Sequence, residues 1–182
     1  MKKLNKTLTA VTLLGLISSA PGMAADGTIN FKGNIIDSAC TVDVNGTGLA
    51  TADVDMGNVH KSAFTGVGST AGGDASATKF NILLKNCPDT VSTAKVKFDG
   101  VAYAGDNTAL ALSEETGVAT GVGIQLSDKN GILPLFTESA AYTLVSGEEN
   151  VNTLDFYARY IQKAATVTPG PANSVATFTV NY

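Results

Sequence analysis

The sequence predicts an all-β domain of sandwich or barrel type, and three observations carry that prediction. Apolar residues recur with period two in at least eight short segments. Turn-forming pairs stand between those segments, among them Asn45-Gly46, Asp99-Gly100, Asn130-Gly131 and Ser146-Gly147. Long helical periodicity is missing. Many short strands joined by such turns bury one face each, and they do so by packing sheet on sheet.

The elements follow in chain order. Ile29, Phe31, Gly33 and Ile35 share one face of a strand over 28–36, with Asn30, Lys32 and Asn34 on the other. Cys40, Val42 and Val44 alternate with Thr41 and Asp43. Val54 and Met56 alternate with Asp53 and Asp55, which predicts another strand. The Gly/Ser/Ala-rich stretch from Gly66 to Asp74 reads as an exposed loop. Strands are then expected around Phe80-Ile82-Leu84, Val96-Phe98, Val122-Ile124-Leu126, Leu154-Phe156-Ala158-Tyr160 and Ala176-Phe178-Val180-Tyr182. Asn130-Gly131 is expected to close a type I′ hairpin between the Val122 strand and Ile132-Leu133. Pro169-Gly170-Pro171 forces a turn before the last strand.

The first residues read as an export signal. Lys2, Lys3 and Lys6 precede an apolar run from Leu8 to Ala20, and small residues follow at Gly22-Met23-Ala24-Ala25. A basic start, a short apolar stretch and a small-residue cleavage site define a secretory signal peptide. The run is well short of the ~20 residues of a spanning helix. Cleavage is expected after Ala24, with Ala25 as the alternative, so residues 1–24 are the signal. What remains is one domain of ordinary size. Removing three of the twelve basic residues leaves nine against sixteen acidic, a formal charge of −7. That balance excludes nucleic acid and anionic membrane as partners, since both require clustered Lys and Arg. Cys40 and Cys87 are the only cysteines. In an oxidising compartment they are expected to form a disulfide.

Catalytic patterns are weak. His60 is the only histidine and sits in a strand-end loop, Gly57-Asn58-Val59-His60-Lys61. No G-x-S-x-G motif or P-loop is present. Gly66-Val67-Gly68-Ser69-Thr70-Ala71 loosely fits a dinucleotide pattern but neither follows a strong strand nor opens a helix. Asp53 and Asp55 read as strand carboxylates facing solvent rather than as calcium ligands. The expectation is therefore no enzyme, no cofactor and no metal.

The first and last predicted strands lie at the two ends of the mature chain. A long apolar edge strand invites pairing with another chain, and soluble proteins usually guard against it. Here the first strand has only Lys32 as a guard. Strand addition to an open sheet edge is a recognised mode of association. Gly33 interrupts the apolar face, and glycine suits a place of close approach.

The segment Gly27 to Cys40, GTINFKGNIIDSAC, resembles the start of the type 1 fimbrial major subunits of the chaperone–usher pathway. DVDMG (53–57), FNILLKNC (80–87), LDFYARY (154–160) and ATFTVNY (176–182) resemble later strands of the same family. The resemblance covers essentially the whole mature chain and is weakest at 60–75 and 103–118. It implies an incomplete immunoglobulin-like β-sandwich with one disulfide, Cys40–Cys87, completed by a donor strand from another subunit. Residues 25–37 would be the donor-strand extension and 38–182 the pilin domain. Ile29, Phe31, Gly33 and Ile35 would fill the neighbour's groove; Phe178, Val180 and Tyr182 would line the strand on which a periplasmic chaperone pairs. The implied partners are copies of the chain in a head-to-tail homopolymer, other pilins, the chaperone and an outer-membrane usher. The implied destination, reached through the periplasm, is an extracellular fimbrium supporting adhesion. A minor adaptor or terminator pilin, or a stand-alone secreted β-sandwich module, is the alternative. The family pattern has a tyrosine second from the end and a glycine fourteenth from it; here Tyr182 is last and Gly170 thirteenth, the same offset for both.

Overall fold

The computed structural model describes residues 29–32, 39–72 and 77–182. All strands below belong to the compact unit Ile36–Tyr182. In chain order they are β1 (Thr41–Val44), β2 (Thr70–Ala71), β3 (Thr78–Cys87), β4 (Thr93–Gly100), β5 (Ala102–Tyr103), β6 (Asp106–Leu110), β7 (Val122–Asp128), β8 (Gly131–Ile132), β9 (Tyr142–Thr143), β10 (Gly147–Gln162) and β11 (Ala176–Asn181). One 3₁₀ turn, Lys61–Ala63, is the only helical element among the described residues.

Two sheets form, and every ladder is antiparallel. The larger has the order β1-β3-β10-β7-β6-β5, with β2 added to β10 and β8 to β7. The smaller has the order β11-β4-β9. β10 is the spine of the larger sheet: its 16 residues pair with β3 on one side and β7 on the other. Its alternation explains why. Leu154, Phe156, Ala158 and Tyr160 are buried, while Asp155, Tyr157 and Arg159 on the opposite face are half-buried. The smaller sheet closes over the same core through β4, where Ala94, Val96 and Phe98 point inward.

Three phenylalanines join the sheets. Phe98 of β4 meets Phe156 of β10 edge-on at 5.1 Å between centroids, and Phe156 stacks on Phe80 of β3 at 5.6 Å. Such offset and edge-on geometries suit the charge distribution of aromatic rings. Cys40 and Cys87 form the disulfide, with Cα atoms 4.3 Å apart. It ties the start of β1 to the end of β3.

Some elements differ from expectation. Residues 51–59 form no ladder among the described residues. Their side chains nevertheless alternate as predicted, with Asp53 and Asp55 exposed and Val54 and Met56 half-buried. The pattern is that of a strand, but among the described residues no strand pairs with it. The hairpin after β7 turns at Lys129-Asn130, because Asp128 pairs with Gly131. Neither turn residue takes positive φ, so the turn is not type I′. The Asp128 carboxylate accepts the Asn130 backbone N–H at 2.7 Å and fixes this alternative. The expected loop 66–74 contains β2, which hydrogen-bonds along β10. In the expected first strand, Ile29–Lys32 is irregular, and residues 33–36 lie outside the described residues.

Candidate functional site

Among the described residues the smaller sheet ends at β11, and beside β11 a groove reaches down to core side chains. β11 pairs with β4 along its whole length, from Ala176↔Gly100 to Asn181↔Lys95, and has no second ladder among the described residues. Among the described residues its other edge therefore has no ladder partner, and such an edge is the usual template for a further strand. Along that edge runs a groove of about 1170 Å³. This is above the ~300–1,000 Å³ of pockets for small ligands.

Core residues make the floor. Phe80, Ile82, Phe98, Leu110, Ile124 and Leu126 all line it. Phe178 and Val180 project from β11 and are half-buried. Phe178 lies 6.3 Å from Phe98, so one rim continues the aromatic cluster of the core. The opposite rim is the ladder-free segment Ala50–Gly57, with Val54 and Met56 turned inward. The groove is therefore a strand-wide slot between a strand edge and a strand-like segment, with apolar walls.

The ends are distinct. At one, Tyr182 stands with Ala39 and Cys40. Burial pushes the pKa of the Tyr182 hydroxyl up, against the opposing pull of the Cys40 backbone N–H. At the other end lie Ala172, Asn173, Ser174 and Val175. This end is braced. The Tyr160 hydroxyl donates to the Ala172 carbonyl at 3.0 Å, the Ser174 hydroxyl to the Ala111 carbonyl at 2.7 Å, and the Ser113 N–H to the Asn173 carbonyl at 2.7 Å. Burial also raises the Tyr160 pKa, which keeps that hydroxyl a donor.

The ladder-free rim has its own support. Asp43, 2 % exposed, accepts the Gly48 N–H at 2.9 Å and the Lys85 ammonium at 2.5 Å. The Lys85 hydrogen bond lowers the Asp43 pKa despite the opposing effect of burial. Asn45, Gly46 and Gly48 all take positive φ, which turns the chain out of β1 and into the rim.

The sequence-predicted residues fall as follows. Cys40 and Cys87 are bonded. Phe178, Val180 and Tyr182 all line the groove. Ile29 and Phe31 are exposed, at 79 % and 92 %. Gly33 and Ile35 lie outside the described residues. His60 and the carboxylates Asp53 and Asp55 are exposed, and no cluster of three metal-ligating side chains occurs among the described residues. Sequence reasoning missed the bracing residues Asp43, Ser174 and Tyr160, and it did not assign Val54 and Met56 to the groove. Their alternation with two aspartates was the available signal.

Comparison with known proteins covers nearly the whole chain. Residues 29–182 match the family described as Fimbrial protein. The chain is 40% identical to a fimbrial subunit type 1 of Klebsiella pneumoniae over 189 residues, covering 97% of this chain and 98% of that one. It is likewise 40% identical to the type-1 fimbrial protein A chain of Escherichia coli K12, with the same coverage. Among solved structures it resembles an antigen and type I fimbria protein of Burkholderia pseudomallei, at 40% identity and a TM-score of 0.57, covering 86% of this chain and 97% of that one. A subunit of a chaperone–usher pilus superposes with a TM-score of 0.63 at 25% identity, covering 90% and 99%.

Proposed function

This chain belongs to the fimbrial protein family and is a structural subunit of a bacterial surface fimbria, and from that premise we propose how it assembles. Each copy lends the segment 25–37 to the groove of the next, and the filament grows by repetition. The open edge of β11 beside a strand-wide apolar groove is the observation that carries this reading. In it, Ile29, Phe31 and Ile35 enter the floor, Gly33 passes where space is least, and the donor backbone pairs with β11 across from Phe178, Val180 and Tyr182.

The physics supports assembly without covalent chemistry. Burying Ile29, Phe31 and Ile35 contributes about 1.5–3 kcal/mol each. Pairing with β11 satisfies backbone groups that are otherwise open. Strand and groove are different surfaces of one chain, so the contact is heterologous and yields an open filament.

An unfilled groove would aggregate in transit. A periplasmic chaperone pairing with β11 covers it, and an outer-membrane usher exchanges that chaperone for the next subunit's strand. The residues 1–24 serve as the signal for export into this route.

The test is electrophoresis in SDS of the exported chain, co-expressed with its chaperone and usher, with and without boiling in acid. A ladder of multimers that collapses to one band on boiling is the expected result. A monomer band in both lanes would overturn strand exchange and favour a terminator or a self-contained module.

A further inference from the structure

Beside the braced end of the groove stand two strongly exposed valines. Val101 is 72% exposed and Val175 is 73% exposed. The register of β4 and β11 ends at Gly100↔Ala176, so one further step sets Val101 opposite Val175. Opposed residues of an antiparallel pair project to one face. They stand on a platform tied by three hydrogen bonds: Ala111 N–H to the Val101 carbonyl at 2.7 Å, Ser174 hydroxyl to the Ala111 carbonyl, and Ser113 N–H to the Asn173 carbonyl. Two adjacent β-branched side chains held rigidly in water offer a small, preformed contact.

We infer that Val101 and Val175 form the seat on which the body of the neighbouring copy rests in the filament. The inference rests on the assembly proposed above and deepens it. Antiparallel pairing is the more stable arrangement per residue. A donor strand antiparallel to β11 has its C-terminal end beside Ala176. The groove-filling face ends at Ile35 and the donor's body begins at Ser38, so the body follows the strand at once. It must therefore emerge at the end where Val175 lines the groove and Val101 adjoins it. The valine pair adjoins the strand-exchange surface at the end where that body emerges.

Its small size fits the role. Two side chains are far short of the roughly 1,200 Å² that holds free partners together, so the seat does not dimerise free subunits. Once the strand is seated, the short connection from Ile35 to Ser38 holds the bodies at about millimolar effective concentration, and a weak contact becomes occupied. The seat then restrains rotation of one body about the link and sets the stiffness of the filament.

The experiment uses Val101, which does not line the groove. Wild type, Val101→Asp and Val101→Thr are exported with chaperone and usher. Filaments are imaged by negative-stain microscopy for persistence length, and multimers are scored in SDS without boiling. The expectation is an unchanged SDS ladder in all three, with persistence length reduced at least about threefold in Val101→Asp and less in the isosteric Val101→Thr. Equal stiffness in all three overturns the seat while leaving strand exchange intact. Loss of the ladder in Val101→Asp also overturns it, because Val101 would then act on strand exchange itself. A wild type without a ladder overturns the assembly on which the inference rests.

Discussion

At the scale of single residues, the fold depends on places where a side chain would not fit or a charge would not be held. Gly170 is the clearest case. A Cβ there would stand 2.1 Å from the Gly117 carbonyl oxygen and 2.7 Å from the Ala119 nitrogen. Those are backbone atoms, so no rotamer change relieves the clash. The Ala119 N–H already donates to the Pro171 carbonyl at 2.8 Å, which clamps the two segments together. Gly170→Ala is expected to destabilise the domain by about 1–3 kcal/mol, read from the urea midpoint; an unchanged midpoint would refute the clamp. Charges supply a second prediction. Asp106 is hydrogen-bonded by Lys163 and Thr108 and its pKa is held well below the ordinary 3.8. Asp43 and Glu138 are lowered for the same main reason, by Lys85 and Lys95. A depressed folded pKa means fewer bound protons in the folded state, so the contribution is full above pH ~5 and is lost as pH falls from there through the folded pKa values. The urea midpoint should therefore decline between pH 5 and pH 2, and Asp106→Asn should flatten part of that decline. A midpoint independent of pH in this range would show that these pairs do not stabilise the fold.

At the scale of elements, the site is a relation between a strand that lies open and a strand that would fill it. β11 was legible in sequence because Phe178 and Val180 alternate with Thr177 and Thr179, and the structure turns the valine and phenylalanine into the groove. The segment 51–57 was legible only by half. Its alternation is real, but a ladder requires a neighbour, and this segment borders the slot where one is absent among the described residues. The short strands β2, β5, β6 and β9 were not legible, because two to five residues give no period to read and their pairing is set by other strands: β2 by β10, β6 by β7, β9 by β4, and β5 in turn by β6. The turn after β7 was misassigned because a side chain, Asp128, overrode the glycine signal. The bracing of the groove was invisible for a related reason: Asp43 meets Lys85 only after β1 and β3 pair. The donor face leads to a prediction that belongs here. In the assembly proposed above, Gly33 passes the tightest point of the slot. Gly33→Trp should stop or strongly slow filament formation while leaving the circular dichroism and urea midpoint of the subunit unchanged. Normal filaments from that variant would remove Gly33 from the contact.

At the scale of the whole molecule, a domain with an open groove is stabilised by what fills it. The apolar groove and the edge of β11 that has no second ladder among the described residues are costs that the isolated subunit bears and that, in the assembly proposed above, the filament does not. Any strand that binds the folded subunit and not the unfolded chain must shift the equilibrium, by about 2.7 kcal/mol at a concentration of 100 times Kd. For a domain of this size that corresponds to a rise in Tm of roughly 5–10 °C. The subunit carrying Gly33→Trp is the suitable receiver, since its own segment is then a poor occupant of any groove. Titrating it with a synthetic peptide of residues 28–36 should raise Tm progressively, and the same peptide with tryptophan at position 33 should not. Calorimetry distinguishes the outcomes. A graded shift with the native peptide alone means that the domain is one strand short and that the sequence of the donor matters. Shifts with both peptides would mean apolar adsorption without register. No shift with either would mean that the groove is not a strand site and takes a different occupant. In the assembly proposed above, the contact that joins neighbours is also the one that completes each fold, so a filament cannot lose a link without opening a groove.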